Sequence, residues 1–386
     1  MEIIYVDHAA TSPLHPEVLD AMLPYFESHF GNPSSIHQIG RQARHALDQA
    51  RKSIAESLRV SEQTVVFTSG GTEADNMAII GYALEHENKG KHIITSKVEH
   101  HAVLHACQEL EKRGFEVTYL PVDETGRVKL NDVQAVLRDD TILVTLMFGN
   151  NEVGTIQPIK EIGELLYKHQ AVFHTDAVQA CGAVNLNLAE LPVDMLSISA
   201  HKINGPKGIG LLYVREEIKL RPVLYGGEQE RKRRAGTENV AAIVGFAKAI
   251  HLAAQTLSER QERYHQFAQV LIDTWMREEV EFYLNGHQTK RLPHVLNVSF
   301  PGVNIESLLM NLDIVGVAAS SGSACTAGSI EPSHVLVAMF DQAKERIQTA
   351  IRFSFGLGNT VEQIERVAIE TAKVVKRLKQ QEEFIN

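Results

Sequence analysis

Between about residues 40 and 215, short unbroken apolar runs alternate with amphipathic stretches of helical period. This alternation limits the possible fold more than any other feature of the chain. Runs at 64–68, 92–95, 141–147, 171–174, 195–199 and 210–214 read as strands buried on both faces. Stretches such as 41–57 and 73–84 read as the helices between them. Such an order predicts an α/β fold with a mainly parallel sheet covered on both sides. From about 258 the pattern changes to a long charged helix, a strand at 294–300 and a helix at 304–311. A Ser/Gly/Ala-rich stretch, a strand at 351–355 and a closing helix from 360 follow. This part reads as a separate α+β unit. The expected organisation is a large domain over 14–257 and a small one over 1–13 and 258–386. A length of 386 residues suits that division, because single cores stop growing at about 250–300 residues.

Composition removes several function classes. No apolar run approaches the roughly 18 residues of a membrane span, and the first residues show no basic leader, so no membrane association is expected. The three cysteines, Cys107, Cys181 and Cys325, are widely spaced and form no C-x-x-C pair. A disulfide framework or structural zinc is therefore not expected, and a reducing cytoplasm is the natural setting. A formal net charge of −10 disfavours direct nucleic-acid binding.

Three segments combine into one chemical pattern. Thr68-Ser69-Gly70-Gly71-Thr72-Glu73 places glycines between a strand and a helix start, where free N–H groups and the helix dipole suit a phosphate. Taken alone it is equally a tight turn with a capping threonine. It matches neither the P-loop nor the dinucleotide fingerprint. Asp176 ends an apolar strand and suits a protonated pyridine nitrogen, or simply a helix cap. Lys202 follows another strand in Ser199-Ala200-His201-Lys202, where burial lowers an amine pKa toward Schiff-base chemistry, unless the side chain reaches solvent. Phosphate cradle, carboxylate and lysine in this order are the three contacts that pyridoxal 5′-phosphate requires.

Further candidates are weaker singly. His101 and His105 lie four apart, but no third metal ligand is near; ring stacking or proton transfer by an imidazole is preferred, and no metal is expected. Cys325 is set in Ser320-Ser321-Gly322-Ser323-Ala324-Cys325-Thr326, small residues around one thiol. Arg352 on a strand suits a substrate carboxylate or a structural ion pair. The basic run Arg231 to Arg234 between glycines reads as a functional loop more than a nucleic-acid patch.

Taken together, Tyr5-Val6-Asp7-His8-Ala9-Ala10-Thr11, Gly31-Asn32-Pro33-Ser34-Ser35, Asn150-Asn151-Glu152-Val153-Gly154, His174-Thr175-Asp176-Ala177-Val178-Gln179 and Arg234-Ala235-Gly236-Thr237-Glu238-Asn239 resemble the cysteine desulfurases. The resemblance is to the NifS and IscS subgroup of the fold-type I pyridoxal-phosphate enzymes, which belong to the class V aminotransferases, and it covers nearly the whole chain. It implies a seven-stranded, mainly parallel sheet and a homodimer. It implies that Lys202 carries the cofactor as a Schiff base, Asp176 pairs with the ring nitrogen, Gln179 bonds O3′, and His101 stacks on the ring and handles protons. Gly71, Thr72, Ser199 and His201 would hold the phosphate, with Thr237 reaching the neighbouring subunit's cofactor. Asn151 and Arg352, with Asn32, would bind the carboxylate of L-cysteine. Cys325 would take the sulfur as a persulfide and pass it to an acceptor protein for iron-sulfur cluster assembly or tRNA thiolation, with transient ligation of a cluster by Cys325 also open.

Overall fold

The computed structural model describes residues 3–321, 332–341 and 343–383. Among these described residues the strands in chain order are β1 (Ile4–Tyr5), β2 (Val65–Thr68), β3 (His92–Ser96), β4 (Glu116–Leu120), β5 (Thr141–Thr145), β6 (Val172–Asp176), β7 (Met195–Ser199), β8 (Gly210–Val214), β9 (Tyr283–Asn285), β10 (Val295–Ser299), β11 (Val317–Ala318) and β12 (Ala350–Ser354). Seven of them form one sheet in the order β2-β8-β7-β6-β5-β3-β4. All pairings are parallel except those of β8, which runs antiparallel to both β2 and β7. The mainly parallel sheet is as expected from the apolar runs. β4 escaped that reading because it is the sheet edge. Its residues run from exposed Glu116 through three half-buried positions, so it never shows a continuous apolar run.

Helices cover both faces. The long helix Gln38–Leu58 buries Ala43, Leu47, Ala50, Ile54 and Leu58, one stripe at helical spacing. The His37 ring nitrogen accepts from Gly40 N at its start, and Arg59 closes it in the left-handed region at φ 58°. It packs on Val240–Gln255 over one face of the sheet. The helical run from Gly71 to Glu85 and the helix His101–Lys112 cover the opposite face. In the first of these, Met77–Gly81 forms a π turn.

A second core gathers the C-terminal elements. β9, β10 and β12 form an antiparallel sheet, and the helices Leu257–Arg277 and Val361–Glu383 pack together over it around fully buried Trp275. β1 pairs in parallel with β11, and Ile4 and Val6 are buried in this core. The chain then crosses to the first core, where Ala9 packs. The N-terminal residues therefore lie across the junction between the two cores.

Candidate active site

Parallel topology brings the carboxyl ends of β2, β5, β6 and β7 to one edge of the large sheet, the place where open α/β sheets collect ligands. A cavity of about 500 Å³ opens there against the second core. Gly71, Thr72, His100, His101, Asn151, Asp176, Gln179, Ser199, His201, Lys202 and Arg352 all line it. Gly71 starts its helix so close to Val178 that a Cβ would come within 2.6 Å of the valine side chain, so any larger residue would have to displace Val178.

Lys202 is half-buried on the short turn after β7. Its Nζ donates to the carbonyls of Ala9 and Ala10 at 2.6 and 2.7 Å. Burial and the nearby Arg352 guanidinium push the amine down to about 8, so near neutral pH an appreciable fraction is an uncharged nucleophile. Asp176 is buried at the end of β6 and one of its oxygens accepts from Val178 N at 2.9 Å. Burial raises its pKa, opposed by His100 and Lys202. A cation placed against it would be strongly favoured in this setting.

Beneath Asp176 lies a polar layer that the sequence did not disclose. Asp75 is 1 % exposed, lines the cavity, and has one oxygen without a hydrogen-bond partner among the described residues. Burial and the charge of Asp176 hold it well above the usual carboxylate range. It sits 3.7 Å from the His174 ring, which is itself fixed between Thr145 and Ser197 hydroxyls and held neutral by burial, near 3. A signal was available: Asp75 stands three residues after Thr72, on the same face of a short helix.

Arg352 on β12 is 3 % exposed. Its Nη2 meets Asp7 at 2.7 Å and its Nη1 donates to the Asn151 carbonyl at 2.9 Å. Its Nε has no hydrogen-bond partner among the described residues. A buried guanidinium fixed on two sides with a donor to spare suits a small carboxylate. Asp7 belongs to the N-terminal motif, and its role in fixing this arginine was not legible without the fold.

The sequence expectation named His101, and the structure sets two adjacent imidazoles, His100 and His101, on the cavity wall. His101 is the first residue of the helix His101–Lys112. Its ring stacks on His105 one turn along, at 5.1 Å, and lies 4.8 Å from His334. His100 is the N-cap. Its Nδ1 accepts from Ala102 N at 3.1 Å, which leaves the proton of the neutral ring on Nε2. It is His100, not His101, whose charge is coupled to both Asp176 and Lys202. Two adjacent histidines at a helix start cannot be ranked from sequence, because the capping turn decides which ring lies within reach of the charges of Asp176 and Lys202.

Other expected residues lie elsewhere. Asn32 and Thr237 are exposed and do not line the cavity; the Asn32 side chain accepts from Ser34 N within its own turn. Cys325 lies outside the described residues, though both flanks, Ser320 and Pro332, line the cavity. Cys107 and Cys181 are buried, and burial pushes their thiols up, Cys181 to about 12. Both are therefore inert. The basic run is tied down locally. Arg234 pairs with Glu73 at 2.7 Å, and Arg231 and Arg233 donate to the carbonyls of Glu62 and Gln63.

The aminotransferase class-V family matches residues 4–367. An IscS 1 protein of Bacillus subtilis strain 168 is 58% identical over 378 residues, 98% of this chain and all of that one. A cysteine desulfurase IscS of Methanosarcina thermophila is 50% identical over 97% of this chain and 93% of its own length. The solved structure of a NifS-like protein superposes with a TM-score of 0.92 at 35% identity, covering 97% of this chain and the whole of that one. A cavity with lysine, buried aspartate and half-paired arginine at the carboxyl edge of the sheet thus comes with full-length likeness in sequence and in fold, and the chain belongs to the aminotransferase class-V family, among its NifS/IscS-like cysteine desulfurases.

Proposed function

We propose that this chain is a pyridoxal-phosphate-dependent cysteine desulfurase that converts L-cysteine to L-alanine and keeps the sulfur as a persulfide on Cys325. The observation that carries the proposal is the junction of Lys202, lowered to about 8, with buried Asp176 and Arg352 around one cavity. The residues fit the cofactor. Asp176 is a buried carboxylate in need of a cation, Gly71, Thr72, Ser199 and His201 form a small-residue and N–H-rich end suited to a phosphate, and Lys202 supplies the amine. When bound, pyridoxal phosphate supplies an electron sink for the bonds at the substrate Cα.

The chain's own residues do the rest. Lys202, as a free amine, removes and returns a proton at the substrate Cα. Asp176 keeps the ring nitrogen protonated. Arg352 and Asn151 hold the substrate carboxylate, with Asp7 holding the arginine. We assign ring stacking and proton transfer at the substrate thiol to His100, whose Nε2 is the protonated nitrogen, in place of His101. The Cys325 thiolate attacks the substrate sulfur. The S–S bond forms as the substrate C–S bond breaks, and the three-carbon fragment leaves as alanine after protonation at Cβ.

The division into domains 14–257 and 1–13 with 258–386 belongs to the same reading, as does a homodimer in which exposed Thr237 completes the partner's phosphate site. A cytoplasmic setting accords with this reading. Iron-sulfur scaffold proteins and tRNA-thiolating enzymes are the acceptor classes it implies.

The test is the product set. Alanine formed from L-cysteine in equal amount to sulfide under a reductant supports the proposal. Pyruvate formation, or amino transfer without sulfide, refutes it. A mixed dimer of Lys202→Ala and Thr237→Ala subunits tests the shared site, since one of its two sites should remain intact.

A further inference from the structure

Gln179 lines the cavity in the turn after β6, and its amide is gripped at both ends. Its Nε2 donates to the Ala9 carbonyl at 2.8 Å, the same carbonyl that Lys202 Nζ meets. Its Oε1 faces His294 Nε2 at 3.2 Å. A backbone carbonyl only accepts, so the amide nitrogen must face Ala9 and the oxygen must face His294. An amide oxygen also only accepts, so His294 must carry its proton on Nε2. The other ring nitrogen of His294 is buried and has no hydrogen-bond partner among the described residues, as a bare lone pair would be. Of the two hydrogens on Gln179 Nε2, one is committed to Ala9, and the other is left for the cavity.

His294 stands immediately before β10, in the C-terminal sheet, whereas Gln179 follows β6 in the large one. The hydrogen bond therefore joins the two cores across the cavity floor. We propose that His294 is a positioning residue for the cofactor: its Nε2–H locks the Gln179 amide so that an N–H, and never the amide oxygen, meets the phenolic O3′ of pyridoxal phosphate. The inference rests on the cofactor reading above. It also requires a ring that stays neutral. Burial holds His294 near 3, and the surrounding Arg260, His8, Arg352 and Lys202 further oppose a second proton. The lock is thus set throughout the working pH range, and no titration of His294 enters.

The experiment uses the full-length enzyme loaded with pyridoxal phosphate and follows its visible absorbance against pH. A donor to O3′ withdraws electron density from the phenolate and lowers the pH midpoint of that absorbance. His294→Phe, which cannot donate, and His294→Asn, whose amide stops short at the Nδ1 position, should both raise the midpoint by roughly half a unit or more. Both should also weaken cofactor binding about tenfold, the usual consequence of losing a hydrogen bond to a charged acceptor. His294→Gln, whose Nε2 reaches the position of the ring Nε2, should stay near wild type. In a Gln179→Ala background, His294→Phe should add no further shift.

An unchanged midpoint in the Phe and Asn variants overturns the proposal, and so does an equal shift in His294→Gln or an added shift on Gln179→Ala. Lower melting temperatures with an unmoved midpoint also overturn it, since they mark a merely structural histidine. Should the Phe variant not fold, the Asn and Gln pair decides by the same criteria. A wild-type chain that develops no visible band with pyridoxal phosphate refutes the cofactor reading itself and the inference with it.

Discussion

Replacing Arg51 by Met should be among the most damaging single changes outside the cavity. Arg51 is 5 % exposed and meets Glu230 with two hydrogen bonds, at 2.9 and 2.6 Å, while also donating to the Val65 carbonyl at 2.7 Å. Its guanidinium lies 4.6 Å from the centre of the Phe67 ring. Glu230 is 7 % exposed, and its carboxylate also accepts from Phe67 N at 3.0 Å. It opens a run of three left-handed residues, Glu230, Arg231 and Lys232, at φ 45°, 56° and 66°. That strained turn anchors the segment that carries Thr237. Met fills much of the arginine volume, so the main loss is electrostatic: a buried carboxylate loses the guanidinium that pairs with it. Removing one partner of a buried pair costs about 3–5 kcal/mol, which corresponds to a melting point lower by roughly 5–15 °C.

Thermal melting of the cofactor-free enzyme measures this cost, and limited trypsin digestion locates it. Cleavage within Arg231 to Arg234 should accelerate as the anchor fails. The double variant Arg51→Met/Glu230→Leu removes the stranded charge and should recover about 2 kcal/mol or more of the loss. Melting within about 2 °C of wild type for Arg51→Met, with unchanged digestion, would refute the argument. So would a double variant no better than the single one.

Cofactor-free enzyme should combine with pyridoxal phosphate with a pH midpoint near 8, because Lys202 reacts as the free amine and its pKa is lowered to about 8; a midpoint above 10 in a stopped-flow absorbance series would exclude the assignment. Buried Glu99 has its pKa raised to about 8, chiefly by burial. The folded state therefore holds a proton that the unfolded state releases, and stability falls as pH rises from about 4.5 to 8. Glu99→Gln should flatten that decline in denaturant titrations at pH 5 and 8, and a decline as steep as wild type would contradict it. Cys325→Ser should still bind pyridoxal phosphate and change its spectrum with L-cysteine, while losing about 10⁴-fold or more in alanine and sulfide production; wild-type turnover would remove Cys325 from the mechanism.

The sequence by itself determined the α/β architecture, because strands buried on both faces must be unbroken apolar runs and the helices between them must carry an apolar stripe. It also located Lys202, Asp176 and the glycines before Thr72, since each stands where an apolar strand stops, and parallel strands stop at one common edge. It could not disclose β4, whose edge position leaves it without an apolar run. Three further decisions came only from tertiary packing. The capping turn at His100 selected which of two adjacent imidazoles is coupled to Asp176. The crossing of residues 7–10 between the cores put Asp7 on Arg352 and the Ala9 carbonyl between Lys202 and Gln179. The approach of β10 set His294 against Gln179 over a separation of 115 residues. Local pattern reports which face of an element is buried, but what lies opposite that face is decided by segments far away in the chain, and hydrogen-bond partners at such separations leave no periodicity to read.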